Sequence, residues 1–427
     1  MAKEIKLWTL VLYGVGIILG AGIYSLVGVG ASLAGTMLWL AFIIAMLIAV
    51  FTGMSYVELS SIFPKAAAEY VYTRNAFRNE TLSFMLSWLL MISSVISAAV
   101  VALAFGGYLA FVIGGNPTTF ALALIALLSV LNYMGIKESA IFNNVSSVIE
   151  ASGLVLVILL ALFFHARAAQ SPNFLQMPET GINGIFYAVG VIYFAFIGFE
   201  YLANISEDVK DAKKLIPKAL IISLAIASLL YILLSITIFM LASPSTLAAS
   251  KAPLTSAVQQ VLPNAALIIS IIALFATSNT VLIILIGASR IVYGVSRNKS
   301  LPSFLSKMSK RDTPHFAVAF VGAAAMLASL SGNILEVAQL TNLGVFITYF
   351  FVNISLLKLR GYDAKDKLVT PRVHGVPIFA VLGAISAVIM SLYFSIAIWL
   401  VEFGILLLGL LTFRLYAYRR SMRPKAH

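Results

Sequence analysis

Apolar residues run along this chain in blocks of about twenty, the length of a membrane-crossing helix, divided by short polar stretches. Twelve blocks are predicted as spans, at roughly 8–32, 36–58, 82–113, 118–135, 140–165, 184–204, 216–242, 266–296, 315–331, 335–357, 376–394 and 396–413. Two of them carry residues that a plain spanning helix avoids. Span one contains Gly14, Gly16, Gly20 and Gly22; span six reads Phe194-Ala195-Phe196-Ile197-Gly198-Phe199-Glu200. A glycine weakens a helix by about 1 kcal/mol relative to alanine. A charged side chain at bilayer depth costs roughly 2.5–3.5 kcal/mol on insertion scales. Both costs are tolerated where a helix is broken inside the protein so that its backbone can bind something. Two broken helices in a many-span chain point to a secondary transporter.

An internal repeat supports this. Tyr13-Gly14-Val15-Gly16-Ile17-Ile18 resembles Tyr187-Ala188-Val189-Gly190-Val191-Ile192, and each copy precedes its break by a few residues. Span one starts inside and span six outside, so two five-span repeats run in opposite orientation. The expected units are residues 1–165, the inverted residues 184–358, and two added spans within 374–418.

Charge sets the orientation. With both termini inside, the inner segments carry 2, 3, 1, 4, 6, 5 and 5 Lys or Arg, basic residues at span ends being counted with the adjoining loop. Of the 28 basic residues, 26 are then inside and only Arg167 and Lys251 outside, which is the positive-inside rule. The net charge of +12 therefore belongs to topology and anionic lipid rather than nucleic acid. Composition agrees: 61% of residues are hydrophobic and 10% charged, against about 25% charged in soluble domains. Lys3, Glu4 and Lys6 lead into the first span without a small-residue cleavage site, so no cleaved leader is expected. The absence of cysteine excludes disulfides, Cys-based zinc sites and thiol catalysis. No Ser–His pair or acid cluster suggests an enzyme, and no cofactor is expected. His165, His315, His374 and His427 are scattered at or beyond span ends, fit no metal spacing and are expected to face water.

Each break strands amides and carbonyls that a ligand or buried water must satisfy. The amides of Ala21 and Gly22, beside Gly20, open the second half of span one, where the positive dipole end favours an anion. The carbonyls of Ile18, Phe194 and Ile197, with Gly198 next to them, lie at negative ends suited to an ammonium. Together they form a binder for an α-amino acid. Close helix packing is the other use of such glycines, and for Gly14 and Gly16 the two uses stay equally open.

Glu150 in span five and Glu200 after the break in span six are candidate proton carriers. Neutralising a glutamate at pH 7 costs about 3.7 kcal/mol, close to the cost of inserting it charged, so the environment decides its state. Glu402 in span twelve, outside the repeats, is expected to be structural or interfacial. These three are the only acids expected to be buried.

Several segments resemble the amino acid–polyamine–organocation family of transporters over roughly residues 8–320. They are the glycine-rich run Gly14–Tyr24, Tyr56-Val57-Glu58-Leu59, Pro64 through Tyr70-Val71-Tyr72, the aromatic-Ala-Phe-x-Gly-x-Glu pattern of span six, Asn204 through Asp208, Ile216-Pro217-Lys218-Ala219, Ser289-Arg290-Ile291-Val292-Tyr293-Gly294, Leu301-Pro302, and Thr313-Pro314. The chain departs from that family at Ala66-Ala67-Ala68, where glycines are usual, at Asp211-Ala212 and at Arg297-Asn298-Lys299-Ser300. The resemblance implies an all-α integral membrane fold of the leucine-transporter type. That fold has twelve transmembrane helices, a five-plus-five inverted repeat, broken helices one and six, and two added C-terminal helices. It implies the same backbone substrate site, and an aromatic gate at Phe194 with Phe196 as the second candidate. In proton-coupled relatives a lysine can stand near the position of Glu150. In sodium-coupled members of the fold, hydroxyls of span eight hold the ion, which makes Ser278-Asn279-Thr280 a weaker candidate. The expected function is alternating-access transport of a free amino acid in the cell membrane, favouring neutral side chains, with cationic amino acids and polyamines left open. Proton coupling leads, with sodium coupling or exchange as alternatives and a channel, receptor or enzyme as more distant ones.

Overall fold

In hydrocarbon no water satisfies backbone N–H and C=O groups, so apolar blocks of this length become helices. The computed structural model describes residues 5–164, 172–250, 252–330, 334–362 and 367–421. Lys3, Arg167, Lys251, Lys365, Arg423 and Lys425 of the charge count, with His165 and His427, lie outside the described residues. The helices are α1 (Leu7–Ala34), α2 (Leu38–Ile62), α3 (Ala68–Phe77), α4 (Glu80–Ile113), α5 (Pro117–Met134), α6 (Ile136–Phe164), α7 (Gly181–Ile192), α8 (Phe199–Asn204), α9 (Ala212–Thr237), α10 (Pro244–Ala249), α11 (Pro253–Val261), α12 (Ala266–Arg297), α13 (His315–Ala328), α14 (Ile334–Leu359), α15 (Ile378–Ser391) and α16 (Ile396–Ser421).

Among the described residues, ten helical stretches are long and apolar enough to cross a membrane; α13 and α15 are apolar but only 14 residues long. Spans nine and eleven are thus shorter than the 315–331 and 376–394 expected. α13 ends at Ala328, and the segment after α15 is turn up to Ser395. The expected sixth span is divided into α7, a 3-10 turn at Tyr193–Phe196, and α8. Three short helices, α3, α10 and α11, lie in connections that the hydropathy pattern leaves blank.

The broken spans form the centre. Leu7–Tyr24 is 76% buried and Gly181–Asn204 78%, against 17% for Ile396–Tyr416. α1 packs against α6, α7, α9 and α12, whereas α16 reaches only α4 and α14 among its main neighbours. α16 carries Leu400, Phe403, Leu408 and Leu415 on an exposed apolar face, as a lipid-facing helix must.

The loop ends are fastened by ion pairs and one small hairpin. Arg290 meets Asp208 at 3.0 Å and Arg297 meets Glu207 at 2.7 Å, tying the end of α12 to the segment after α8. Strands β1 (Arg372–Val373) and β2 (Val376–Pro377) pair antiparallel. Glu58, at the end of α2, accepts from the Thr370 amide and hydroxyl and from Arg372. Ala67 takes a left-handed φ of +53° just before α3, the conformation for which glycine is the usual choice.

Candidate substrate and proton site

The two breaks are sharp and lie against each other. In α1 the helix is interrupted at Gly20 (φ −37°, ψ −146°), next to Ala21 and Gly22. A Cβ on Gly20 would fall 1.6 Å from Thr280 Oγ1, so only glycine fits there. In span six, Ile197 is extended and Gly198 adopts φ +126° before α8 begins. A Cβ on Gly22 would lie 2.4 Å from Ala195 Cα, and one on Gly198 would lie 2.3 Å from Ile17 Cγ1. Gly22 and Gly198 are thus the points where one broken segment rests on the other.

Tyr231 of α9 joins the breaks. Its buried hydroxyl reaches the carbonyl of Ile18 and, at 3.0 Å, that of Ala195. Sequence reasoning passed over it as an ordinary aromatic of an apolar span. Asn342 was passed over too: it donates to the Gly190 carbonyl at 2.7 Å and approaches that of Val191, satisfying the end of α7. The Phe194 carbonyl accepts from the Ile197 amide at 3.3 Å. Phe194 is 7% exposed, while Phe196 is fully buried against Phe42 and Tyr231. Phe196 therefore sits as a core aromatic in this conformation.

The candidate carboxylates have contrasting surroundings. Glu200 caps the break: its Oε2 accepts from the Gly198 amide at 2.9 Å and from the Tyr349 hydroxyl at 2.6 Å, and its Oε1 has no hydrogen bond. Glu150 is fully buried on α6. The Asn279 side chain approaches it, yet neither carboxylate oxygen has a hydrogen bond of normal geometry. Its backbone carbonyl accepts from the Tyr24 hydroxyl at 2.9 Å. In span eight, Ser278 and Thr280 donate back to carbonyls of their own helix, those of Phe275 and Ala276. Asn279 donates to Ser147, which itself bonds the Leu12 carbonyl. Gly14 and Gly16 serve as close contacts in this conformation, against Ser223 and Leu202 and against Ser147, Asn279 and Asn143 respectively. Among the described residues no group of His, Cys, Asp and Glu is arranged for a metal.

Residues 5–405 match the family model described as amino acid permease. The chain belongs to this family. It is a multi-pass membrane protein of amino acid transport. Among its relatives, the branched-chain amino acid permease BcaP of Bacillus subtilis (strain 168) is 28% identical over 99% of this chain and 94% of its own length. The methylthioribose transporter of the same strain is 27% identical over 100% and 95%. The mitochondrial cationic amino acid transporter 3 of Arabidopsis thaliana is 26% identical over 87% of this chain and 64% of its own.

The permease buries more acids than its sequence suggests. Besides Glu150, Glu200 and Glu402, Glu58 and Glu69 are each only 1% exposed. Both lie near span ends, where burial depends on partners distant in sequence. Burial pushes the Glu69 carboxyl up to about 7, against donors from Tyr56 and Asn204 that favour its ionised form. Glu402 is buried on the otherwise exposed α16, beside Gly344 of α14. His374 is exposed as expected, but His315 is half-buried against Phe316, its Nδ1 without a hydrogen bond. A cavity of about 610 Å³ opens at the loop ends, between Pro64 and Lys65 on one side and Ser206, Glu207, Lys214 and Arg297 on the other. It is separate from the helix breaks.

Proposed function

We propose that the permease is a secondary active transporter of free amino acids, working by alternating access and driven by protons. In this reading it has twelve membrane crossings. Residues 1–165 and 184–358 form two inverted halves, 374–418 add two helices, and both termini are cytoplasmic. The packing supports the repeat: spans two, three and four lie against spans seven, eight and nine, each beside its counterpart. Span one packs on spans five and seven, and span six packs on spans ten and two.

The observation that carries the substrate assignment is the Tyr231 hydroxyl between the carbonyls of Ile18 and Ala195. Two carbonyls from two broken helices converge on one donor, which is the chemistry an α-ammonium group brings with more protons to give. The break at Gly20 leaves Ala21 and Gly22 amides at the start of a half-helix for the carboxylate. Phe194 over this site acts as the gate, with Phe196 behind it. Apolar neighbours favour neutral side chains, as the name of the B. subtilis branched-chain relative also suggests.

Proton coupling rests on Glu150. A buried carboxylate with no partner on either oxygen is a place for a proton or a small cation. Sodium is the weaker reading because the Ser278 and Thr280 hydroxyls are engaged by their own helix. Recognition of both polar ends has a direct test. Amino acid amides and N-acetyl amino acids should bind at least about tenfold more weakly than the parent, roughly 1.4 kcal/mol, in a thermal-shift competition. Equal binding would defeat the backbone site.

A further inference from the structure

Glu69 belongs to none of the steps above, yet it is an acid outside the membrane spans with a donor on each carboxylate oxygen. It lies in the first turn of α3, fully buried, in the connection between α2 and α4. Its Oε1 accepts from the Tyr56 hydroxyl of α2 at 2.8 Å. Asn204, the last residue of α8, places its amide nitrogen 3.2 and 3.1 Å from the two carboxylate oxygens. The same amide nitrogen is 3.1 Å from the Glu200 carbonyl, and Asn204 Oδ1 accepts from the Ala68 amide at 2.9 Å. One side chain thus joins the second half of the broken span six to the loop helix. The titratable groups facing Glu69 are Tyr56 from α2, Tyr72 on α3 itself, and Glu200 and Tyr201 from α8. None is a base.

We propose that Glu69 is a second proton-binding site of the transport cycle, whose protonated form keeps α8 closed on α3 and whose ionised form favours opening of that contact to water. This rests on the transporter reading given above. The Tyr56 and Asn204 donors favour the ionised carboxylate, but they do not offset the cost of burying its charge, so loss of the proton weakens the closed contact. Water has a way in: the cavity at the loop ends opens between Pro64 and Lys65, just before α3, and Ser206 and Glu207, just after α8. The proton is exchanged with the aqueous side that bears these loops. Because burial holds the carboxyl near 7, the contact changes state within the range of an ordinary transmembrane pH difference.

The first measurement is thermal unfolding of the whole protein in detergent. The folded pKa lies above the unfolded one, so the stabilisation linked to this proton is complete below about pH 4 and is lost as pH rises through about 7. Glu69→Gln carries no such proton, so its melting temperature relative to wild type should climb between pH 6 and 8. A purely structural glutamine effect would be the same at both. The second is amino acid exchange in vesicles, with the pH on the loop side varied alone. Wild type should show a midpoint near 7, Glu69→Gln a flat profile, and Tyr56→Phe a midpoint moved to higher pH, since it loses a donor to the ionised form. If Glu69→Gln does not fold, the Tyr56→Phe shift decides. A wild-type profile in Glu69→Gln, or an unmoved midpoint in Tyr56→Phe, overturns the role. If no amino acid is exchanged by the wild type at all, the transporter reading fails and the role falls with it.

Discussion

Gly22→Val is expected to abolish amino acid uptake while leaving a folded, solubilised protein of lower melting temperature. A Cβ at this position would sit 2.4 Å from Ala195 Cα and 3.0 Å from the Ala195 amide nitrogen. Those are backbone atoms and cannot rotate aside. The two breaks must separate, which pulls the Ala195 carbonyl away from the Tyr231 hydroxyl and the Ile18 carbonyl that it shares. Overpacking of this kind costs typically about 1–3 kcal/mol, less than a folded protein's whole stability. The branched side chain also stiffens a segment that has to stay unwound beside Gly20. Uptake into proteoliposomes and a melting curve on the same preparation separate the two effects. Normal uptake would mean that the contact between the breaks is not where the substrate is held. Uptake lost together with all cooperative unfolding would reduce Gly22 to a packing residue.

The breaks were legible because they violate a simple rule: glycine and carboxylate stand in blocks that otherwise hold only apolar residues. Gly20, Gly198 and Glu200 fall where the helices are interrupted. Block length gave the spans, but it misjudged the ends of α13 and α15, since Leu330 and Leu392-Tyr393-Phe394 extend the apolar blocks while lying in turns or bends. What the sequence could not display is reciprocity between distant residues. Tyr231 has the hydropathy of any aromatic in a span; its role depends on two carbonyls 213 and 36 residues away. Glu58 and Glu69 look like solvated loop acids until Thr370, Arg372 and Asn204 fold over them. The polar run in span eight shows the converse. Ser278 and Thr280 suggested an ion site by type, and their own helix takes up their hydroxyls.

Replacing Glu150 by glutamine is expected to separate accumulation from exchange. The amide keeps the size and the neutral hydrogen-bonding character of a protonated carboxyl, and the Tyr24 bond to the residue 150 carbonyl is untouched because it involves only backbone. Helix α6 should therefore pack as before, and the breaks in α1 and span six should keep their approach. What is lost is the ability to release a proton. If Glu150 must be neutral on one side of the membrane and discharge on the other, the variant is locked in the loaded form. Substrate should bind with an affinity within about twofold of wild type, a difference of roughly 0.4 kcal/mol. Counterflow, which moves no net proton, should continue. Accumulation driven by an inward pH gradient should fall at least about tenfold, roughly 1.4 kcal/mol of lost coupling. Wild-type vesicles with pH and sodium gradients imposed separately provide the reference. Uptake that follows sodium and ignores pH would make Glu150 an ion ligand, since its two unpartnered oxygens serve a cation as well as a proton. Full pH-driven accumulation by Glu150→Gln would move the coupling step to Glu200, whose Oε1 is also unpaired beside the break.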